Sequence, residues 1–186
     1  MDEMKMSRHL REAYAPEDLP RLVEFVNAAY RGESSKAGRA WTTEADLLDG
    51  QRVDLQALQE LLPKDGRSTI LLFEQGHELL ACVNLRRLDN DMAYLGMLTV
   101  SPHHQNSGLG RELLDRAEAW CRDQWGTRGM EMTVIQLRQE LIQWYQRRGY
   151  HPSGEMRPFP YGNSRFGLPR RSDLKFIVLQ KIWTRS

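Results

Sequence analysis

Residues 98–114, LTVSPHHQNSGLGRELL, take the chain from a strand through two closely spaced glycines into a long helix. Leu98, Thr99 and Val100 end a run of strand formers, and Pro102 stops the strand from continuing. Gln105, Asn106, Ser107, Gly108, Leu109, Gly110 and Arg111 then lead into a long amphipathic helix over residues 108–125. Leu113, Leu114, Ala117, Trp120 and Cys121 form its apolar face, with Glu112, Asp115, Glu118, Arg122 and Asp123 outside. Two glycines one residue apart allow positive φ and a close approach to the backbone. The first amides of a helix lack intrahelical acceptors and carry partial positive charge, so this turn predicts an anion cradle suited to a pyrophosphate. A Walker A loop needs Lys after the last glycine, and here Arg111 and Glu112 follow Gly110. A dinucleotide fingerprint needs a third glycine where Leu113 stands. Both nucleotide readings therefore fail.

Upstream, residues 7–14 predict a first strand, and Pro16 opens a helix whose apolar face is Leu19, Leu22, Val23, Val26, Ala29 and Tyr30. Residues 31–39 are a polar loop. Thr43, with Glu44 and Asp46 after it, predicts a short helix to Leu48, and a second covers residues 54–62 before Pro63. The period then changes from helical to alternating. Residues 69–75, 78–88 and 92–101 predict an antiparallel meander broken at Gly76-His77 and at Asp89-Asn90-Asp91. Downstream come a strand at 130–135, a helix at 138–148 stopped by Gly149, and strands at 150–155 and 174–182. The last two flank a Pro- and Gly-rich loop, residues 157–171. The predicted order is β-α-α-α-β-β-β-α-β-α-β-β, an α/β fold with mixed strand directions.

At 186 residues the chain is expected to form one domain, residues 1–186, with a core large enough to need no staples. Lysine and arginine number 26 against 25 acidic residues, so no broad basic face is forced, and nucleic acid or an anionic membrane is disfavoured as a partner. Cys82 and Cys121 lie in apolar periodic segments and read as buried thiols. No apolar run is long enough for a spanning helix, and no apolar leader follows Met1, so the expected location is the cytoplasm. His103-His104 has no third ligand nearby in sequence and reads as a surface loop, so no metal is expected.

A second motif follows in order, separated from the first by a helix and a strand. In residues 141–150, LIQWYQRRGY, Tyr145 stands four residues before Gly149 and Tyr150 follows it. Together with Gln105-x-x-Gly108-x-Gly110 after a strand ending Leu98-x-Val100, the chain resembles the GNAT family of N-acetyltransferases, most closely over residues 79–150. The resemblance implies a GNAT-like mixed central sheet of about seven strands flanked by helices, with acetyl-CoA as co-substrate. It implies that the amides of Asn106–Arg111 hold the pyrophosphate and that the pantetheine arm lies along Leu98, Thr99 and Val100 where this strand splays from residues 130–135. It further implies that an amide at or beside Val100 polarises the thioester carbonyl and that Tyr145 protonates the leaving thiolate. Arg138 departs from the pattern, since many relatives carry Asn there. Arg147-Arg148 reads as solvated charge or as a contact to the 3′-phosphate of the coenzyme.

By the same resemblance, the acceptor site is walled by residues 30–49 and 157–169, giving Tyr30, Glu33, Trp41, Glu44, Phe159 and Tyr161 as substrate-binding candidates. The stiff aromatic loop suits a small amine or plain packing at a loop base. No carboxylate lies in residues 95–100, where some relatives carry one, so Glu33, Glu44, Asp46 and a water chain all stand open as the base. The expected function is acetyl transfer to the primary amine of a small molecule. A peptide N-acetyltransferase and a non-catalytic CoA-binding module remain the alternatives, and a homodimer is an open assembly.

Overall fold

The computed structural model describes residues 7–14, 16–31, 44–62, 65–104 and 107–184. The elements in chain order are β1 (Arg8–Glu12), α1 (Leu19–Arg31), β2 (Leu48–Asp49), α2 (Leu55–Glu60), β3 (Ser68–Gln75), β4 (Glu78–Arg87) and β5 (Met92–Val100). They continue with α3 (Leu109–Trp125), β6 (Gly129–Ile135), α4 (Gln139–Gln146), β7 (His151–Pro158), β8 (Leu168–Pro169) and β9 (Lys175–Ile182). Seven strands form one sheet in the order β1-β3-β4-β5-β6-β9-β7. All neighbours are antiparallel except β5 and β6, which run parallel, so the mixed α/β sheet expected from the sequence is what forms.

Both faces of the sheet are covered. Leu71 and Phe73 of β3 point into a core with Leu113, Leu114 and Ala117 of α3 and with Ile142 and Tyr145 of α4. Ile70 and Leu72 point the other way, onto Leu22, Val26 and Tyr30 of α1 and Leu58 of α2. This is why TILLFEQ carries apolar residues at consecutive positions: β3 is buried on both sides. Asp54 caps α2 by accepting from the Ala57 amide at 2.6 Å. Cys82 and Cys121 are buried free thiols, and burial pushes both up to about 12. No helix among the described residues is long and apolar enough to cross a membrane.

The helix expected at residues 43–48 does not form. Thr43 lies outside the described residues, and the amides of Leu47 and Leu48 both donate to the Glu44 carbonyl, closing a single turn. The chain then extends, because Leu48 and Asp49 pair with Pro169 and Leu168 of β8 in a separate two-stranded ladder. Arg170 reinforces the ladder through its amide to the Leu47 carbonyl (2.9 Å) and its guanidinium to Asp49. A long-range pairing thus overrides a local capping pattern. The strand expected at 150–155 runs on to Pro158, with an irregularity between Pro152 and Met156.

A buried charge network fastens β1 and the start of α1 to the sheet. Arg11 donates to both oxygens of Asp18 (2.7 and 2.8 Å) and to both oxygens of Glu74 (2.8 and 3.1 Å). The Arg11 guanidinium holds the Asp18 carboxyl well below the usual carboxylate range, against its burial. A carboxyl depressed in the folded state contributes stability that is full above its unfolded range, near 4, and is lost as pH falls below it. Urea titrations from pH 6 to 2 are expected to show wild-type stability dropping below about pH 4. Asp18→Asn should be less stable at pH 6 and show a shallower acid limb; an equally steep limb refutes the assignment.

Candidate active site

The sheet opens into a fork at its centre. β5 and β6 pair only where Met92, Ala93 and Tyr94 face Gly129, Met130 and Glu131. Beyond that point β5 stays with β4 up to Val100 and β6 stays with β9 up to Ile135. The pairing of β4 with β5 shifts register between Cys82 and Asn84, and opposite this irregularity Met97 adopts φ +55°, a left-handed conformation rare for a side-chain-bearing residue. The Met97 side chain is buried against α1, which holds the irregularity in place.

Alternation along β5 fixes which way the backbone points after it. The Ser101 amide donates to the Leu80 carbonyl of β4 at 2.8 Å. Leu98 and Val100 therefore present their backbone groups to the opposite side, into the fork. The Leu98 carbonyl already receives the Tyr30 hydroxyl, buried, at 3.0 Å. Tyr30 thus ties the end of α1 to one prong, and burial pushes its hydroxyl up to about 12.

At the tip of this prong, residues 102–104 form one tight turn, and the Ser107 hydroxyl donates to the His104 carbonyl. Gly108 takes φ +82° and caps α3 without any side-chain hydrogen bond. A Cβ added there would meet nothing within 4 Å, so the left-handed backbone rather than crowding is what calls for glycine. The first intrahelical bond runs from the Glu112 amide to the Gly108 carbonyl at 3.0 Å. The amides of Leu109, Gly110 and Arg111 precede it and face outward, as an anion site requires. Gln105 and Asn106, the other residues expected here, lie outside the described residues.

Arginines surround this helix start. Arg148 lays its guanidinium over the Trp144 ring at 3.6 Å and donates to the Trp144 carbonyl at 2.6 Å. Burial, then the like charges of Arg147 and Arg111, pull its proton affinity down. An anion placed between these three side chains relieves that repulsion.

Tyr145 of α4 is 4% exposed, with its ring edge-on to Trp144 and Tyr150 at 4.9 and 5.7 Å. Burial, reinforced by Tyr30 and Tyr94 nearby, pushes its hydroxyl far above the usual tyrosine range, so it stays protonated at any physiological pH. The structure therefore brings Tyr30, Tyr94 and Tyr145 into one neighbourhood around the fork.

On the α1 side, Glu44 pairs with Arg31 at 2.9 Å and reaches Arg138 at 3.8 Å, while its amide donates to the Tyr30 carbonyl at 3.0 Å. Its carboxylate thereby ties the end of α1 to the start of α4. Asp46 is exposed, and Glu33 and Trp41 lie outside the described residues. Phe159 packs against Tyr161 and Phe176 at 5.1 and 5.5 Å. The Tyr161 hydroxyl donates to the Arg171 carbonyl (3.0 Å) and accepts from the Leu174 amide (2.7 Å), stapling its own loop. No motif singled out the Tyr94 hydroxyl, which meets Thr133 across the fork at 2.8 Å; Gly96, two residues on, is the one sequence sign of space kept beside that ring.

Residues 24–150 match the model of the acetyltransferase (GNAT) family, and the chain belongs to that family. It is 31% identical over 109 residues to an amino-acid acetyltransferase of Azotobacter vinelandii, covering 58% of this chain and 24% of that protein. The chain thus spans about a quarter of the length of such relatives. Its fold resembles the ribosomal-protein-S18-alanine N-acetyltransferase of Escherichia coli, with a TM-score of 0.68 at 14% identity over 97% of this chain and 96% of that one. A spermidine N-acetyltransferase of Vibrio cholerae, solved with CoA and spermine, superposes with a TM-score of 0.64 at 17% identity over 94% and 95% of the two chains.

Proposed function

We propose that the protein transfers an acetyl group from acetyl-CoA to the primary amine of a small molecule, both held at once in the fork. The observation that carries this reading is the union of a helix start at Gly108 with no side-chain cap among the described residues and a strand, β5, whose partner β6 has turned away. A diphosphate joined to an extended amide-bearing arm fits that union: charge at the helix start, backbone pairing along Leu98, Thr99 and Val100. Acetyl-CoA supplies the acetyl group as an activated thioester. The amides of Ser107–Arg111, with Gln105 and Asn106, hold the pyrophosphate, and Arg147 and Arg148 take the remaining phosphate charge. An amide at or beside Val100 hydrogen-bonds the thioester carbonyl, and the strand edge at Leu98 runs beside the arm. Tyr145 stays protonated and supplies chiefly a hydrogen bond to the charge growing on the departing sulfur.

The acceptor enters from the side of Tyr30, Glu33, Trp41, Glu44, Phe159 and Tyr161. Amino-acid and spermidine acetyltransferases among the similar proteins support a small amine as acceptor. The test is acceptor-dependent thiol release from acetyl-CoA across amino acids, polyamines, aryl amines and peptide N-termini, beside calorimetry with CoA. Release with a small amine and measurable CoA binding support the reading. Heat with CoA but no release with any amine supports a binding module instead, release confined to peptides moves the acceptor class, and no heat with CoA removes the reading altogether.

A further inference from the structure

The last backbone rung between β5 and β6 joins Tyr94 to Glu131, and past it the strands part. One side-chain rung spans the parting. The Tyr94 hydroxyl and the Thr133 hydroxyl, two residues further along β6 than Glu131, lie 2.8 Å apart. The Tyr94 ring is held on two further sides. A Cβ on Gly96 would sit 3.2 Å from ring atom Cε1, so glycine at 96 leaves the ring its seat. Arg86, the cross-strand partner of Tyr94 on β4, places its guanidinium over the ring at 5.1 Å. A ring seated on glycine, covered by a cation and tied at its tip to the other prong acts as a strut. Its length sets how far β5 and β6 stand apart at the closed end of the fork.

We propose that Tyr94, through its hydroxyl bridge to Thr133, is a positioning residue that sets the width of the fork where the acyl group of the thioester comes to rest. This rests on the acetyl-transfer reading above. The arm runs from the helix start at Gly108 back along Val100, Thr99 and Leu98, so its acyl end points towards the Tyr94 rung. A small displacement of reacting groups lowers rate far more than it lowers affinity. Widening the closed end also makes room for a longer acyl chain, a change that a loss of stability alone does not produce.

Tyr94→Phe keeps the ring on Gly96 and under Arg86 and removes only the bridge. Thr133→Val removes the same bridge from the other prong, and Thr133→Ser retains it. Steady-state kinetics with acetyl-CoA and propionyl-CoA, alongside CoA calorimetry, read the outcome. Tyr94→Phe and Thr133→Val are each expected to lower kcat roughly tenfold with CoA affinity unchanged, and to shift the donor preference towards propionyl-CoA. The double variant should be no worse than either single one, because both delete one interaction. Thr133→Ser should match wild type. Wild-type kcat and donor preference in both single variants overturn the strut, as do multiplicative losses in the double variant or a Thr133→Ser enzyme as impaired as Thr133→Val. A wild-type protein that releases no thiol with any amine overturns the acetyl-transfer reading and the strut with it, so the two failures are distinct.

Discussion

Tyr145→Phe is expected to lower kcat about fiftyfold while the CoA dissociation constant stays within about twofold of wild type. The ring keeps its edge contacts with Trp144 and Tyr150, so only the hydroxyl is lost and the fold is spared. That hydroxyl sits in a buried place where burial makes loss of its proton harder than in water. A thiol titrates near 8.5, below an ordinary tyrosine near 10, so full proton transfer from tyrosine to thiolate runs uphill. The larger share of the effect is therefore a hydrogen bond to the charge growing on sulfur, and hydrogen bonds to charged groups are worth roughly 1.5–3 kcal/mol. No alkaline loss of activity should trace to Tyr145. Steady-state rates with calorimetry decide the matter: an unchanged kcat removes Tyr145 from the chemistry, and a CoA affinity lost in parallel makes it a binding residue.

The largest effect on stability is expected at Glu118, on the buried face of α3. Glu118 is 4% exposed, and its carboxylate accepts from the Lys181 ammonium at 2.8 and 2.9 Å and from the Tyr150 hydroxyl at 2.9 Å. These contacts tie α3 to β9 and to the turn after α4. Glu118→Ala removes the anion and leaves Lys181 and Tyr150 without it. Breaking a buried pair from one side costs several kcal/mol; because the Lys181 side chain is 27% exposed and keeps some water, roughly 3 kcal/mol is expected. For a chain of 186 residues that corresponds to a fall in Tm of about 9 °C. Glu118→Leu combined with Lys181→Leu should recover much of the loss, since an apolar pair needs no charge compensation. Thermal unfolding of the three variants measures this, and a Glu118→Ala protein within about 2 °C of wild type refutes the role.

The parts of the fold legible in the sequence are those fixed by local periodicity. The apolar α3 face and the strand over residues 69–75 follow from residues within a turn or two of one another; Glu118, expected on the outer face of α3, is instead buried, because Lys181 and Tyr150 from distant segments meet its carboxylate. The turn into α3 was legible for the same reason, because glycine spacing after a strand is a local property. The fork came only through the family resemblance and not from the residues themselves, since it depends on β5 finding β6 as a parallel neighbour across the whole of α3 and then losing it. Met97 at φ +55° illustrates the difficulty: nothing in its residue type announces a left-handed backbone, which tertiary packing imposes. Glu44 and Tyr161 stand where an acceptor wall was expected, yet their polar atoms are engaged with Arg31, Arg138, Arg171 and Leu174, all 10 or more residues away in the chain. Side-chain identity shows what a residue can bond, and only the packed chain shows what it does bond.

The short ladder of β2 with β8 has a practical consequence for redesign. Leu48 and Asp49 precede α2, whereas Leu168 and Pro169 follow the aromatic loop, and each pair is extended only because the other is. The two segments thus behave as a single cassette. Grafting either segment alone from a homologue would leave its mate without a template, so any redesign of this region should transplant both together and conserve the Asp49–Arg170 contact that seals them.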